Sequence, residues 1–303
     1  MQPDAGTSRR ALPNGKPISP LGFGCSSRWS KPSFPADAAT AMLETAFANG
    51  INHYDTAPSY ADGEARLGVF LRGRDASRLV ISTKVGTEAG DHHRSFDPER
   101  MRRSFDASLN RLGLDCVDIL YLHGPTVADL SADVFAFFDT LKAEGRIEYC
   151  GVNSFDPLVV TRCVDAPVDA VMLQYSVSDR RFDRLIEQLA NRGRVVIAGT
   201  ILAQGIFDLK TFVPRDRASM WYLLRALKSD PLFPRRGLSI ARRIKRTGLN
   251  PHEAAVRFAI SNSRLTSCLF GTRDQAHLVA NARLAGRPLS TEQVQQLRGD
   301  PAR

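Results

Sequence analysis

The sequence predicts an α/β fold: a (β/α)8 TIM barrel with an N-terminal β-hairpin and a long loop after strand seven. Three observations predict it. Short apolar, β-prone runs alternate with amphipathic helical segments, and there are eight such runs. Most are nearly continuous in apolar character, as strands covered on both faces must be. No G-x-G-x-x-G follows any of them, which weakens an open dinucleotide-binding sheet. Periodicity alone does not close a barrel, so a doubly wound sheet stays open at this point.

Taken in order, "RALPNGKPIS" carries Asn14-Gly15, a two-residue hairpin signal, and a small hairpin is expected to cap the N-terminal end of the barrel. Strands are expected at 18–24, 51–56, 79–85, 117–123, 147–153, 168–175, 195–200 and 266–272. Between them, residues 37–49 set Met42, Leu43, Ala46 and Phe47 on one helical face, and residues 98–112 do the same with Met101, Phe105, Leu109 and Leu112. Asp97 is placed as an N-cap with Pro98 at the first helical position. "NPHE" at 250–253 and "STEQ" at 290–293 repeat the device, with Glu253 placed to complete a capping box. Residues 203–235 are too long for an ordinary connection and are expected to form a loop over the opposite mouth. No internal repeat or composition shift divides the chain, so residues 1–303 are expected to form a single domain.

Composition narrows the function classes. Apolar residues make up 43% of the 303 and charged residues 24%, the balance of a globular protein with a substantial core. The first residues contain no apolar leader core, and no stretch approaches the apolar length that crosses a bilayer, so no membrane partner is expected. Cys25, Cys116, Cys150, Cys163 and Cys268 are odd in number, scattered and never spaced as CxxC. That pattern fits reduced thiols in a cytoplasmic protein with neither zinc site nor disulfide framework. The formal charge of +9 attracts polyanions without distinguishing nucleic acid from a phosphorylated cofactor. Its densest cluster, "RRGLSIARRIKRTG" at 235–248, reads as a helix with Leu238, Ile240, Ala241 and Ile244 turned inward and its arginines wet. No aromatics interleave with those charges to stack on bases, so no nucleic-acid partner is expected. The adjacent histidines of "DHHR" at 91–94 lack further spaced ligands, and no metal is expected.

The strand ends carry the chemistry. In a barrel the C-terminal ends of the strands converge on one mouth. The second strand ends in Asp55, with Tyr60 in the loop beyond it; the third brings Lys84 out of an apolar run; the fourth ends in His123. Each alone has a structural reading, as a turn former, a snorkelling lysine or a core histidine. Together they are a catalytic constellation. Burying Lys84 requires a counter-ion, and Asp55 is the natural one. A buried ammonium beside a phenol favours phenolate, and one close cation is expected to close much of the roughly three-unit gap between tyrosine's ordinary pKa and neutrality. Tyr60 then exchanges a proton with a carbonyl or alcohol oxygen that His123 holds through an N–H. Such chemistry needs a hydride partner that side chains cannot supply.

The stretches "INHYDTAPSYADGEARLG", "VISTKVG", "LNRLGLDCVDILYLH", "LKAEGRIEYCGVNSF" and "FGTRDQAHLVANA" resemble, in order, the successive signatures of the aldo-keto reductases. The resemblance runs from about residue 18 to residue 285. It implies a (β/α)8 barrel binding an extended nicotinamide cofactor, with Asp55, Tyr60, Lys84 and His123 on the family's catalytic tetrad and Tyr60 as proton donor. It further implies cofactor contacts at Gly24, Asp55, Asn153, Ser154, Gln174, Thr200, Leu202, Gly205, Thr272, Arg273, His277 and Asn281. Several of these depart from the family pattern. Asn153 and Ser154 stand in reversed order, and a family glutamine aligns with Met172, with Gln174 two residues on along the same face. The aromatic that commonly stacks on nicotinamide aligns with Gly199, and a usual proline with Ile201. His277 replaces a common arginine while Arg273 offers a cation nearby, so the expected cofactor is NADP, with NAD the alternative.

The expected partner is a small carbonyl or alcohol substrate, lined by Trp29, Tyr60, His123 and Trp221, with Tyr222 beside the last; packing of the loop is an equal reading of these aromatics. The expected activity is reduction of an aldehyde or ketone. Two alternatives remain: a sugar or other alcohol dehydrogenase using the same tetrad, and a cofactor-binding sensor of the potassium-channel β-subunit type. Oligomeric state does not follow from the sequence.

Overall fold

In the computed structural model, which describes residues 9–88, 94–202, 220 and 233–299, eight parallel strands close into a barrel. The hairpin is β1 (Arg10–Ala11) and β2 (Pro17–Ile18). The barrel strands are β3 (Leu21–Gly24), β4 (His53–Asp55), β5 (Val80–Val85), β6 (Val117–His123), β7 (Ile147–Asn153), β8 (Ala170–Gln174), β9 (Val195–Gly199) and β10 (Ser267–Phe270). Each pairs with the next, and β10 closes the ring by pairing with both β9 and β3. The ten described α-helices are α1 (Ala36–Ala48), α2 (Gly63–Leu71), α3 (Pro98–Leu112), α4 (Ala132–Ala143), α5 (Pro157–Arg162), α6 (Asp183–Asn191), α7 (Phe233–Arg246), α8 (Pro251–Ile260), α9 (Gln275–Ala282) and α10 (Thr291–Arg298).

Alternation along each strand sorts side chains between two cores. Val80, Ile119, Tyr121, Tyr149, Met172, Ile197 and Leu269 fill the barrel interior together with Leu12 and Ile18 of the hairpin segment. The intervening residues, such as Phe23, Tyr54, Ile81 and Leu120, pack under the helices. Large and small residues alternate inside: a Cβ on Gly151 would fall 2.6 Å from the Tyr121 ring, and one on Gly22 2.6 Å from His53 Nδ1.

The hairpin plugs the N-terminal end, where the Asn14 backbone N–H donates to the Tyr149 hydroxyl at 2.9 Å. Its turn is wider than the two residues expected. Gly15 N–H donates to Leu12 O, Leu12 N–H donates to Lys16 O, and Gly15 takes φ +85°. This is a type I turn closed by a glycine bulge, selected by Pro13 at the second turn position. The caps form at Asp97, which accepts from Arg100 N–H, and at Ser290, which makes a full capping box with Gln293. Asn250 also caps its helix, but Glu253 turns its carboxylate to Arg257 at 2.9 Å and to the Asn250 side chain, in place of the expected contact with the N-cap backbone. In α7, Ile240 and Ile244 are buried as expected, whereas Leu238 is exposed because it lies two residues, about 200°, from Ile240. Residues 203–219 and 221–232, most of the expected mouth loop, lie outside the described residues.

Behind β5, one carboxylate ties three elements together. Glu64 of α2, buried, accepts from Thr83 Oγ1 at 2.6 Å and from Arg111 Nε of α3 at 2.7 Å. The two helices touch where α2 presents Gly68, whose Cβ would fall 2.1 Å from Arg111 O.

Candidate active site

Because Val80, Ile119, Tyr149, Met172, Val195 and Leu269 face inward, so do the residues at even steps above them. The inward-facing residues at the C-terminal mouth are therefore, around the ring, Gly24, Asp55, Lys84, His123, Asn153, Gln174, Gly199 and Gly271. One side is polar and the other, across three neighbouring strands, is glycine. A Cβ on Gly271 would meet only Gly24 O, at 3.4 Å, and one on Gly24 would meet Phe270 O at 3.6 Å and Ser26 Oγ at 4.0 Å.

On the polar side Lys84 is fully buried, and its Nζ donates to Asp55 Oδ2 and to Thr56 O, both at 2.7 Å. The same Nζ lies 4.7 Å from the centroid of the Tyr60 ring, whose plane stands at 89° to His123 with centroids 5.8 Å apart. Tyr60 is set by its own loop: its N–H donates to Ala57 O, and Gly63 N–H donates to Tyr60 O. Gly63 has no room for a Cβ, which would fall 2.6 Å from Cys25 O. Burial alone would lower the Lys84 pKa, but the Asp55 charge and then Tyr60 outweigh it, and the net shift is upward. For Tyr60 the balance corrects the expectation of a phenolate. Burial is the largest influence and raises its pKa above 10.0, and Lys84 only partly offsets it. With its pKa raised, the resting group is a phenol.

His123 is held at Nδ1 by Thr87 Oγ1 at 2.6 Å, with Ser59 Oγ at 3.4 Å. Burial, then the charges of Lys84 and Arg94, lower its pKa to about 3, so the ring is neutral. A threonine hydroxyl can donate to Nδ1 or accept from it; in the tautomer in which Thr87 donates, Nε2 carries the ring hydrogen and can donate. Beneath Asp55, Ser82 Oγ donates to Asp55 Oδ1 at 2.8 Å, and His53 Nε2 lies 3.5 Å from Ser82 Oγ. Ser267 Oγ donates to Ser19 O, so its 3.0 Å contact with His53 Nδ1 requires the hydrogen on the imidazole. Burial first, and Lys84 second, hold the His53 pKa at about 3.

Two histidines that fold neutral make the protein acid-sensitive. The unfolded chain takes up these protons below about pH 6.5 and the folded chain does not, so their contribution is whole above pH 6.5 and falls away toward pH 3. Unfolding free energies from urea titrations between pH 7 and 4 should fall, and His53→Asn, which keeps a donor toward Ser267, should flatten that slope by up to about 1.4 kcal/mol per pH unit. An unchanged slope would contradict the assignment.

The remaining candidates are distributed unevenly. Asn153 is buried at the mouth, with Nδ2 donating to Met172 O at 3.4 Å, while Ser154 turns its Oγ to the Asp156 N–H and serves the entry to α5. Gln174 reaches the mouth with Oε1 engaged by Arg181 at 2.8 Å. Thr200 follows β9 with φ 56°, and Leu202 packs against the core. Thr272 and Arg273 lead into α9, where Asp274 caps the His277 N–H; Arg273 and His277 are exposed. Asn281 is buried, with Oδ1 against His252 Nε2 and Nδ2 unpartnered. Trp29 is buried in the outer layer, T-shaped on Phe23 with the Arg66 guanidinium 5.9 Å from its ring, so its placement gives no support to a substrate contact. Arg66 causes this by donating to Trp29 O, Lys31 O and Phe34 O, which draws the loop back against α2. Gly205, Trp221 and Tyr222 lie outside the described residues. The sequence reading missed Ser82 and Thr87. Ser82 had a signal, standing two residues before Lys84 on the same face; Thr87, in a loop, had none. Among the described residues no group of three or more His, Cys, Asp or Glu side chains is placed to hold a metal, and no helix is long and apolar enough to cross a membrane.

Comparison with known proteins places this barrel in a class. The chain is 29% identical over 280 residues to D-threo-aldose 1-dehydrogenase of a Pseudomonas species, covering 82% of this chain and 83% of that one. It is 28% identical over 289 residues to L-galactose dehydrogenase of Arabidopsis thaliana, covering 90% and 86%. The solved structure of the aldo-keto reductase AKR11C1 from Bacillus halodurans in its holo form superposes with a TM-score of 0.77 at 25% identity, covering 96% of this chain and 95% of that one. The protein is thus an NAD(P)H-dependent oxidoreductase. Residues 20–299 match the model of the Aldo/keto reductase family, and the chain belongs to that family.

Proposed function

We propose that this is an NADP-dependent oxidoreductase of the carbonyl–alcohol pair, with Tyr60 as the general acid in reduction. The observation that carries the reading is the single cluster in which Lys84, paired with Asp55, lies against Tyr60, and Tyr60 lies against a neutral His123. The nicotinamide cofactor supplies the hydride. The mouth has features that fit it. At Gly24 and Gly271 the mouth carries no side chain, which leaves width for a flat ring and its phosphate chain, and Asn153 offers an amide at the same mouth. Farther out, exposed Arg273 offers a cation and exposed His277 a ring N–H to a 2′-phosphate, and the unpartnered Asn281 Nδ2 offers a donor. His123 Nε2–H donates to the substrate oxygen and polarises the carbonyl; Tyr60 then gives that oxygen a proton. Lys84 stabilises the phenolate left behind, and Asp55 keeps the lysine charged and in place.

The test is loss of NADPH absorbance with the purified protein and a panel of aldehydes and ketones, repeated with NADH. Turnover with higher kcat/KM for NADPH is expected; a preference for NADH would remove the role given to Arg273 and His277. The names of the two sugar dehydrogenases above favour a second reading in which the working direction is oxidation of a sugar. Aldoses with NADP⁺ test it in the same assay. Tight cofactor binding without turnover on any compound would favour a sensor.

A further inference from the structure

We propose that Phe155 is the face on which the nicotinamide ring stacks, occupying the space that Gly199 leaves vacant. This rests on the functional reading above. On β9 the inward positions rise from Val195 through Ile197 to Gly199, so a side chain at 199 would point into the mouth. A Cβ built there meets Leu173 O at 3.6 Å and, as the first side chain, the ring of Phe155, with Cζ at 3.8 Å and Cε1 at 3.9 Å. The ring therefore reaches from the end of β7, across the line of β8, to the mouth position of β9. It is 42% exposed, whereas most large apolar residues of the barrel are buried.

The ring's mounting is firm. Ser154 N–H on one side donates to Met172 O, and on the other the Asp156 N–H donates to Ser154 Oγ while Asp156 caps α5. An aromatic ring fixed at its backbone and open to the mouth, beside the Asn153 amide, has what a planar heteroaromatic ligand needs: a flat apolar surface and an adjacent hydrogen-bonding group. Gly199 completes the device, because an inward side chain there extending beyond Cβ would compete with Phe155 for the same volume.

The test is equilibrium titration by NADPH fluorescence, beside titration of 2′-phospho-ADP-ribose, which has the adenosine end but no nicotinamide. Phe155→Ala should raise the Kd for NADPH roughly five- to tenfold, the order expected for losing one aromatic stack, and leave 2′-phospho-ADP-ribose unchanged. Phe155→Tyr should bind as the wild type does, and Phe155→Leu, apolar but not flat, should behave like the alanine variant. Phe155→Ala combined with Gly199→Tyr should recover affinity by returning a ring to the same space. If that double variant fails to fold, the leucine and tyrosine variants decide between stacking and simple burial. Unchanged NADPH affinity in Phe155→Ala, or equal weakening of both ligands, overturns the proposal. Absence of NADPH binding by the wild type would instead sink the functional reading.

Discussion

Tyr60→Phe is expected to slow carbonyl reduction by about 10²- to 10⁴-fold while leaving NADPH affinity nearly unchanged. The substitution removes one oxygen and keeps the ring, so the packing against Lys84 and the edge contact with His123 survive. What is lost is the transferable proton. Because burial holds the Tyr60 pKa above its ordinary 10.0 despite Lys84, the wild type should keep full reductive activity through neutral pH and lose it only in the strongly alkaline range. Oxidation of the alcohol, which needs the phenolate, should rise with pH over the same span. Steady-state rates in both directions across pH check this, and comparable reduction by the phenylalanine variant would defeat the assignment.

Lys84→Met is expected to abolish turnover and also to destabilise the fold. Asp55 would be left in the barrel interior without its cation, which typically costs about 3–5 kcal/mol. Against an expected total of roughly 5–15 kcal/mol, that is a large fraction. Asp55→Asn combined with Lys84→Met removes the stranded charge and should regain most of the stability without regaining activity. Urea unfolding separates the two effects. Equal stability of the single and double variants would mean that the buried ion pair does not act as described.

Much of this was legible in the sequence, for identifiable reasons. Strands buried on both faces announce themselves as apolar runs, so β5, β6 and β7 fall within a residue of expectation. Asp55, Lys84 and His123 stood out because each interrupts or ends such a run. Where local signals competed, the reading slipped. Pro13 turned a two-residue hairpin into a bulged turn, and Arg257 drew Glu253 away from its cap. Leu238 was placed inward with Ile240 and Ile244, yet its angle on the helix sets it on the other side. The Tyr60 pKa was illegible because its sign depends on how burial and one nearby charge balance, which requires three dimensions. Phe155 was illegible for a related reason. Its significance lies in a glycine two strands away, and nothing local links "GVNSF" to "VVIAGT".

The Glu64 clasp bears on how this enzyme can be altered. Thr83, which the clasp grips, is the immediate neighbour of Lys84, and the grip comes from helices on the outer wall. The lysine is therefore braced from behind, by helices on the far side of β5 from the mouth cluster. Segments around the rim can be exchanged to accept new compounds with the reactive centre still anchored, whereas a seemingly remote edit at the α2–α3 seam would reach straight through to it.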